Sequence, residues 1–89
     1  MRAVVTVTGK DKKGIIAKVS SFLSDKGVNI EDISQTILGE YFAMIMIVEM
    51  SDAKEEIAVL SQQCAELGKQ IGMTIYVQHE DIFNAMHSI

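Results

Sequence analysis

Between Gly9 and Gly14 the chain gathers three lysines, Lys10, Lys12 and Lys13, and one aspartate, Asp11, into a short segment. The apolar, β-branched run Ala3 to Thr8 precedes it and an amphipathic pattern follows, so the segment predicts a strand-to-helix turn with Gly14 at the helix start. The first N–H groups of a helix lack intrahelical acceptors, and the positive end of the helix dipole lies among them. A glycine there lets another group come close. With the ammonium groups nearby, this is the chemistry of a small-anion site. The competing reading is a solvated loop of lysines in which the glycines only make a turn.

The other chemically capable residues have milder explanations. His79 and His87 sit eight apart beside Glu80 and Asp81 without a matching ligand cluster, so they read as surface or dimer-contact histidines rather than metal ligands. Cys64 shares helical spacing with Leu60 and Leu67 and reads as a small, inert core residue. A single cysteine excludes an internal disulfide and any two-cysteine metal or redox motif. Glu31 and Asp32 are neighbours on a strand and point to opposite faces, which defeats paired acid–base work unless a bulge intervenes. The expectation is a non-enzyme with no catalytic residue, no metal and no cofactor.

Composition limits the partners. The 89 residues predict one domain over 1–89, with a core at 1–79 and a tail at 80–89. The net charge of −4 argues against nucleic acid as the main partner, yet residues up to Val28 carry +4 and the remainder −8, so one region is locally basic. No apolar run approaches the roughly 18 residues that span a bilayer, and the N-terminus lacks a signal-peptide pattern. A cytoplasmic protein without a membrane partner is expected.

The elements that must hold the lysine turn follow from periodicity. Ala3 to Thr8, apolar on both faces, predicts an interior strand. The next helix places Ile15, Val19, Phe22 and Leu23 on one face and closes at Lys26-Gly27 with a left-handed cap. In the second strand the apolar positions change phase at Glu31-Asp32, which predicts a β-bulge in an edge strand. Leu38-Gly39-Glu40 turns into a third strand, Tyr41 to Met50, that is apolar from Phe42 to Val48 and so needs cover on both faces. Ser51-Asp52 with Glu55 predicts a capped start for a second helix carrying Ile57, Leu60, Cys64, Leu67 and Ile71 and ending at Gly72. Gly68 within it reads as a close-packing point. Met73, Ile75 and Val77 predict a fourth strand, and Ile82, Phe83, Met86 and Ile89 an apolar face on a short tail helix. The methionines read as core filler, with a Met-rich interface as the alternative. The order βαββαβ predicts an α+β, ferredoxin-like sandwich: a four-stranded antiparallel sheet with two helices on one face, plus the helical tail. An RNA-binding version of this fold wants aromatics on its central strands, and a metallochaperone wants Cys-x-x-Cys in the first loop. Ala3 to Thr8 and the lysine turn offer neither.

With these elements in place the chain resembles the ACT domain family of small-molecule-sensing modules. The strand AVVTVTG and the run Lys10-Asp11-Lys12-Lys13-Gly14-Ile15-Ile16-Ala17 match the family's Gly-x-Asp-x-x-Gly signature. Gly27-Val28-Asn29-Ile30 matches its lead-in to the second strand. The likeness runs to about Gln78. It is strongest to small free-standing members and to the ACT halves of the glycine-cleavage regulatory protein. The resemblance implies an amino acid bound between paired domains, against the first loop of one and the second strand of its neighbour. Carried over, it implies Gly9, Asp11, Lys12, Gly14, Ile15, Asn29 and Ile30 as ligand-binding residues. A homodimer is expected because two helices cover only one face of a sheet whose third strand is apolar throughout, and the tail adds an apolar strip; the module is expected to act on a separate enzyme or regulator in trans. Lys13 departs from the family, whose members usually carry proline there. The alternative function is a protein–protein interaction module without a ligand, using a Met-rich sheet face.

Overall fold

The strand and helix patterns resolve into β1 (Arg2–Lys10), α1 (Ile15–Asp25), β2 (Asn29–Leu38), β3 (Tyr41–Glu49), α2 (Ile57–Ile71), β4 (Met73–His79) and α3 (Glu80–Met86). The computed structural model describes residues 1–87, so Ile89, expected on the tail's apolar face, lies outside the described residues. The four strands make one antiparallel sheet in the order β2-β3-β1-β4, the ferredoxin-like arrangement. β1 is central, as a strand apolar on both faces should be. β2 is an edge, and its pairing with β3 slips between Ile30 and Asp32, where the sequence changes phase.

One sheet face carries the core. Val5, Val7, Met44, Met46, Val48 and Ile75 pack against Ile15, Val19 and Leu23 of α1 and Leu60 and Cys64 of α2. Each fully buried Leu or Val here contributes about 1.5–3 kcal/mol over leaving it exposed. Met44 and Met46 are fully buried on this helix-covered face, which overturns the Met-rich sheet face as a partner surface. The opposite face presents Tyr41, Ala43, Ile45 and Ile47 of β3, alternating with the buried residues. It is aromatic and β-branched rather than methionine-rich.

The second helix starts later than its sequence signals imply. Ser51 does not cap it: its N–H and hydroxyl both donate to the Glu49 carboxylate, at 3.1 and 2.7 Å. Ala53 N–H turns back to the Met50 carbonyl, and Lys54 N–H reaches the Lys26 carbonyl at the end of α1. Gly27, at φ 75°, has the Asp52 carbonyl where a side chain would start. The segment is thus held against the end of α1, and α2 begins at Ile57 after Glu56, without a side-chain cap. The far end of α2 follows expectation, with Gly72 left-handed at φ 74°.

The tail turns back onto the open sheet face. Val4 lies outside the main core cluster yet is only 2% exposed, and Arg2 pairs with Glu80 at the start of α3. Gln78 Nε2 meets Met86 Sδ at 3.3 Å. Both histidines serve this element. His79 Nδ1 accepts from Asp81 N–H at 3.0 Å, and His87 stacks on Phe83 with its Nδ1 2.8 Å from the Phe83 carbonyl oxygen.

Candidate functional site

The lysine turn leaves β1 at Lys10, which pairs with Tyr41, so it lies at the β2–β3 hairpin end of the sheet. Asp11 N–H donates to the Glu40 carbonyl at 2.7 Å and ties the turn to that hairpin. Gly14 then adopts φ 79°, ψ 11°, immediately before α1, and a side chain built on it would meet nothing within 4 Å. The position needs glycine for its left-handed backbone, and the space beside it is open. Gly14 supplies the first helical acceptor, to Lys18 N–H, but no side chain caps the helix start and no acid lies in its first turn. Ile15, Ile16 and Ala17 of that helix start line a concavity of about 180 Å³.

Four of the seven residues carried over from the family come together there: Asp11, Lys12, Gly14 and Ile15 all line this hollow. Ile15 contributes its backbone, since its side chain is buried in the core. Lys12 also reaches out of the turn, with Nζ 3.4 Å from the Ile71 carbonyl, where a cation suits the C-terminus of α2. Gly9 sits one residue before the turn's start, between Phe42 and Met73 in the sheet, and lines a separate hollow on the open face. Asn29 and Ile30 lie at the other end of β2. Asn29 pairs with Glu49, which pairs with Arg2, some eight strand residues or roughly 27 Å from Lys10. Within one chain they do not meet the turn.

The structure adds wall residues that the loop motif does not name. Gln35 and Ile37 of β2, with Phe42 of β3, close the side of the hollow. The signal for them was present: the slip after Ile30 moves odd-numbered residues to the helix face, and the Gly39 turn sets Ile37 opposite Phe42. Two ionisable groups elsewhere are strongly perturbed. The Met1 ammonium, hydrogen-bonded to Glu49 at 2.8 Å with Ser51 beside it, holds that carboxyl down at about 2. Burial pushes the Cys64 thiol up to about 11. Neither group borders the hollow, and no cluster of metal-ligating side chains occurs among the described residues.

The fold is a ferredoxin-like sandwich with an open helix start beside its first loop, a build found among small regulatory, ligand-binding domains. The ACT domain profile matches residues 2–78, and the chain belongs to the ACT domain family. A UPF0237 protein of Methanopyrus kandleri is 47% identical over 88 residues, covering 99% of this chain and 98% of that one. A UPF0237 protein of Clostridium perfringens is 49% identical over 89 residues, the full length of both. Among solved structures, the ACT domain protein from Streptococcus pneumoniae superposes with a TM-score of 0.83 at 44% identity, over 98% of each chain. A putative glycine cleavage system transcriptional repressor shares the fold, with a TM-score of 0.75 at 24% identity over 89% of this chain and 47% of that one.

Proposed function

We infer that this chain is a non-catalytic sensor of an amino acid, bound between two copies and signalling to a separate enzyme or regulator in the cytoplasm. The observation that carries this reading is the half-formed hollow at the start of α1. It gathers free helix N–H groups, Asp11 and the Gln35 amide, yet at about 180 Å³ it falls below the ~300 Å³ at which ligand pockets usually begin. Such a site needs a second wall. β2 is an exposed edge, and antiparallel pairing of β2 with β2 across a two-fold axis sets Asn29 and Ile30 of the second copy beside Ile37 and Leu38 of the first. The 27 Å gap within one chain then closes between chains. In this arrangement the helix N–H groups take the ligand carboxylate, and Asp11 takes its ammonium. The second copy's Asn29 amide meets whatever polar group the side chain carries.

Thermal denaturation against each common amino acid tests the reading. A ligand at a hundredfold excess over Kd stabilises the folded state by about 2.7 kcal/mol, a shift of roughly 10–20 °C for a domain of this size. Silence across the whole set refutes amino-acid sensing and leaves the interaction module without a ligand.

A further inference from the structure

The sheet face opposite α1 and α2 divides into two halves. α3 starts beside the Ala3–His79 pair and carries Phe83 and Met86 over the middle of the sheet, where they and the cross-strand row Thr6, Ile45 and Tyr76 line a hollow of about 420 Å³. Below that row, from Thr6 to Lys10, nothing covers the strands. Tyr41 is 57% exposed there, over a hollow of about 220 Å³ that Thr8, Leu38 and Ala43 also line, and Tyr76, on the row itself, is 64% exposed. α3 keeps apolar surface free as well, Ile82 being 55% exposed and Met86, although it reaches Gln78, 65%.

These two surfaces match each other. The seven residues of α3 span about 10 Å, and the bare half from Thr6 to Lys10 spans about 13 Å. Charge matches as well. The α3 end of the face carries Glu80 and Asp81, the latter almost fully exposed, whereas the bare end carries Lys10, exposed and in no ion pair among the described residues. We propose that a second copy of this chain covers the open sheet face, with α3 of each copy seated on the bare half of the other and Lys10 of each beside Asp81 of its partner. A two-fold axis across the strands produces this arrangement, since it brings the top of one sheet over the bottom of the other. The contact is isologous, so every favourable feature occurs twice. Exposed tyrosines beside an apolar strip are the composition of an interface centre.

This face is separate from the β2 edge and from the loop hollow, so its test does not depend on the ligand. Sedimentation velocity of the full chain at tens of micromolar should show self-association. Ile82→Glu should raise the concentration needed by at least roughly tenfold with unchanged circular dichroism, because it buries a charge in the contact. Lys10→Glu and Asp81→Lys should each weaken association, and the double reversal should restore it. Gly14→Asp should leave this contact intact, so failure of the ligand reading does not mimic failure here. A monomeric wild type, an Ile82→Glu chain that associates normally, or a double reversal no better than either single change would each overturn the proposal.

Discussion

Gly68→Ala sets two known effects against each other. Within a helix interior alanine is better than glycine by about 1 kcal/mol, so propensity alone says that the change stabilises. Packing says the reverse. A methyl group on Gly68 would run into the Met73 carbonyl oxygen and come within 3.4 Å of Ile75 Cγ1. The obstruction is backbone of β4, and it cannot swing aside as a long side chain would. Forced insertion of one methyl into a packed site costs about 1–3 kcal/mol, and a backbone collision belongs at the upper end. Subtracting the propensity gain leaves a net loss of about 2 kcal/mol, or a Tm lower by roughly 8–16 °C for a domain this small. Urea denaturation followed by circular dichroism measures it, with an unchanged m-value showing that the fold is kept. A stabilised Gly68→Ala would refute the close approach of α2 to β4.

Three further outcomes are expected. Gly14→Asp should abolish the response to whichever amino acid stabilises the wild type. It should cost the fold only about 1 kcal/mol, since its strain at φ 79° is partly offset by an acid at the helix start. Gly14→Asn carries the same strain without the charge, and calorimetry should show it retaining more affinity than the aspartate. Cys64, 1% exposed with its thiol pushed up to about 11, should react with a thiol reagent only as fast as the protein opens, so rapid labelling of the native chain would contradict its burial. Glu49 should titrate by NMR at about 2. Because its folded value lies below the ordinary one, its contribution to stability is complete above the usual carboxylate range and is lost as pH falls toward 2. Extending the chain before Met1 removes the ammonium partner and should return the midpoint towards 4.5.

The sequence was most informative wherever a local signal had no long-range competitor. The phase change at Glu31-Asp32 located the bulge, because a strand with period two cannot hide an extra residue. Gly27 and Gly72 located two helix ends, each with a left-handed backbone. The start of α2 failed for the opposite reason: Ser51 had a stronger partner in Glu49, and Lys54 N–H was captured by the end of α1. Both partners are distant from the cap pattern in kind or in sequence. At the candidate hollow, the shared place of Asp11, Lys12, Gly14 and Ile15 was legible as a loop motif. Gln35 and Ile37 were not, because their place depends on the pairing of two strands rather than on any motif of their own. The reach of Lys12 to Ile71 joins residues 59 apart, and a local pattern carries no trace of it.

The sheet order also governs how the molecule comes to exist. β1 is the first strand to be made, yet it is complete only when paired with β3 on one side and with β4 on the other. Every residue from Ala3 to Gly9 is opposed on both sides, Gly9 by Phe42 and by Met73. Only the β2–β3 hairpin can close locally; every other strand pairing waits for a segment far along the chain. A chain emerging from the ribosome therefore holds its central strand half-paired, at the edge of a three-stranded β2-β3-β1 sheet, until β4 is free. Such non-local pairing slows folding relative to a helical bundle of equal size and ties the two halves into one cooperative event.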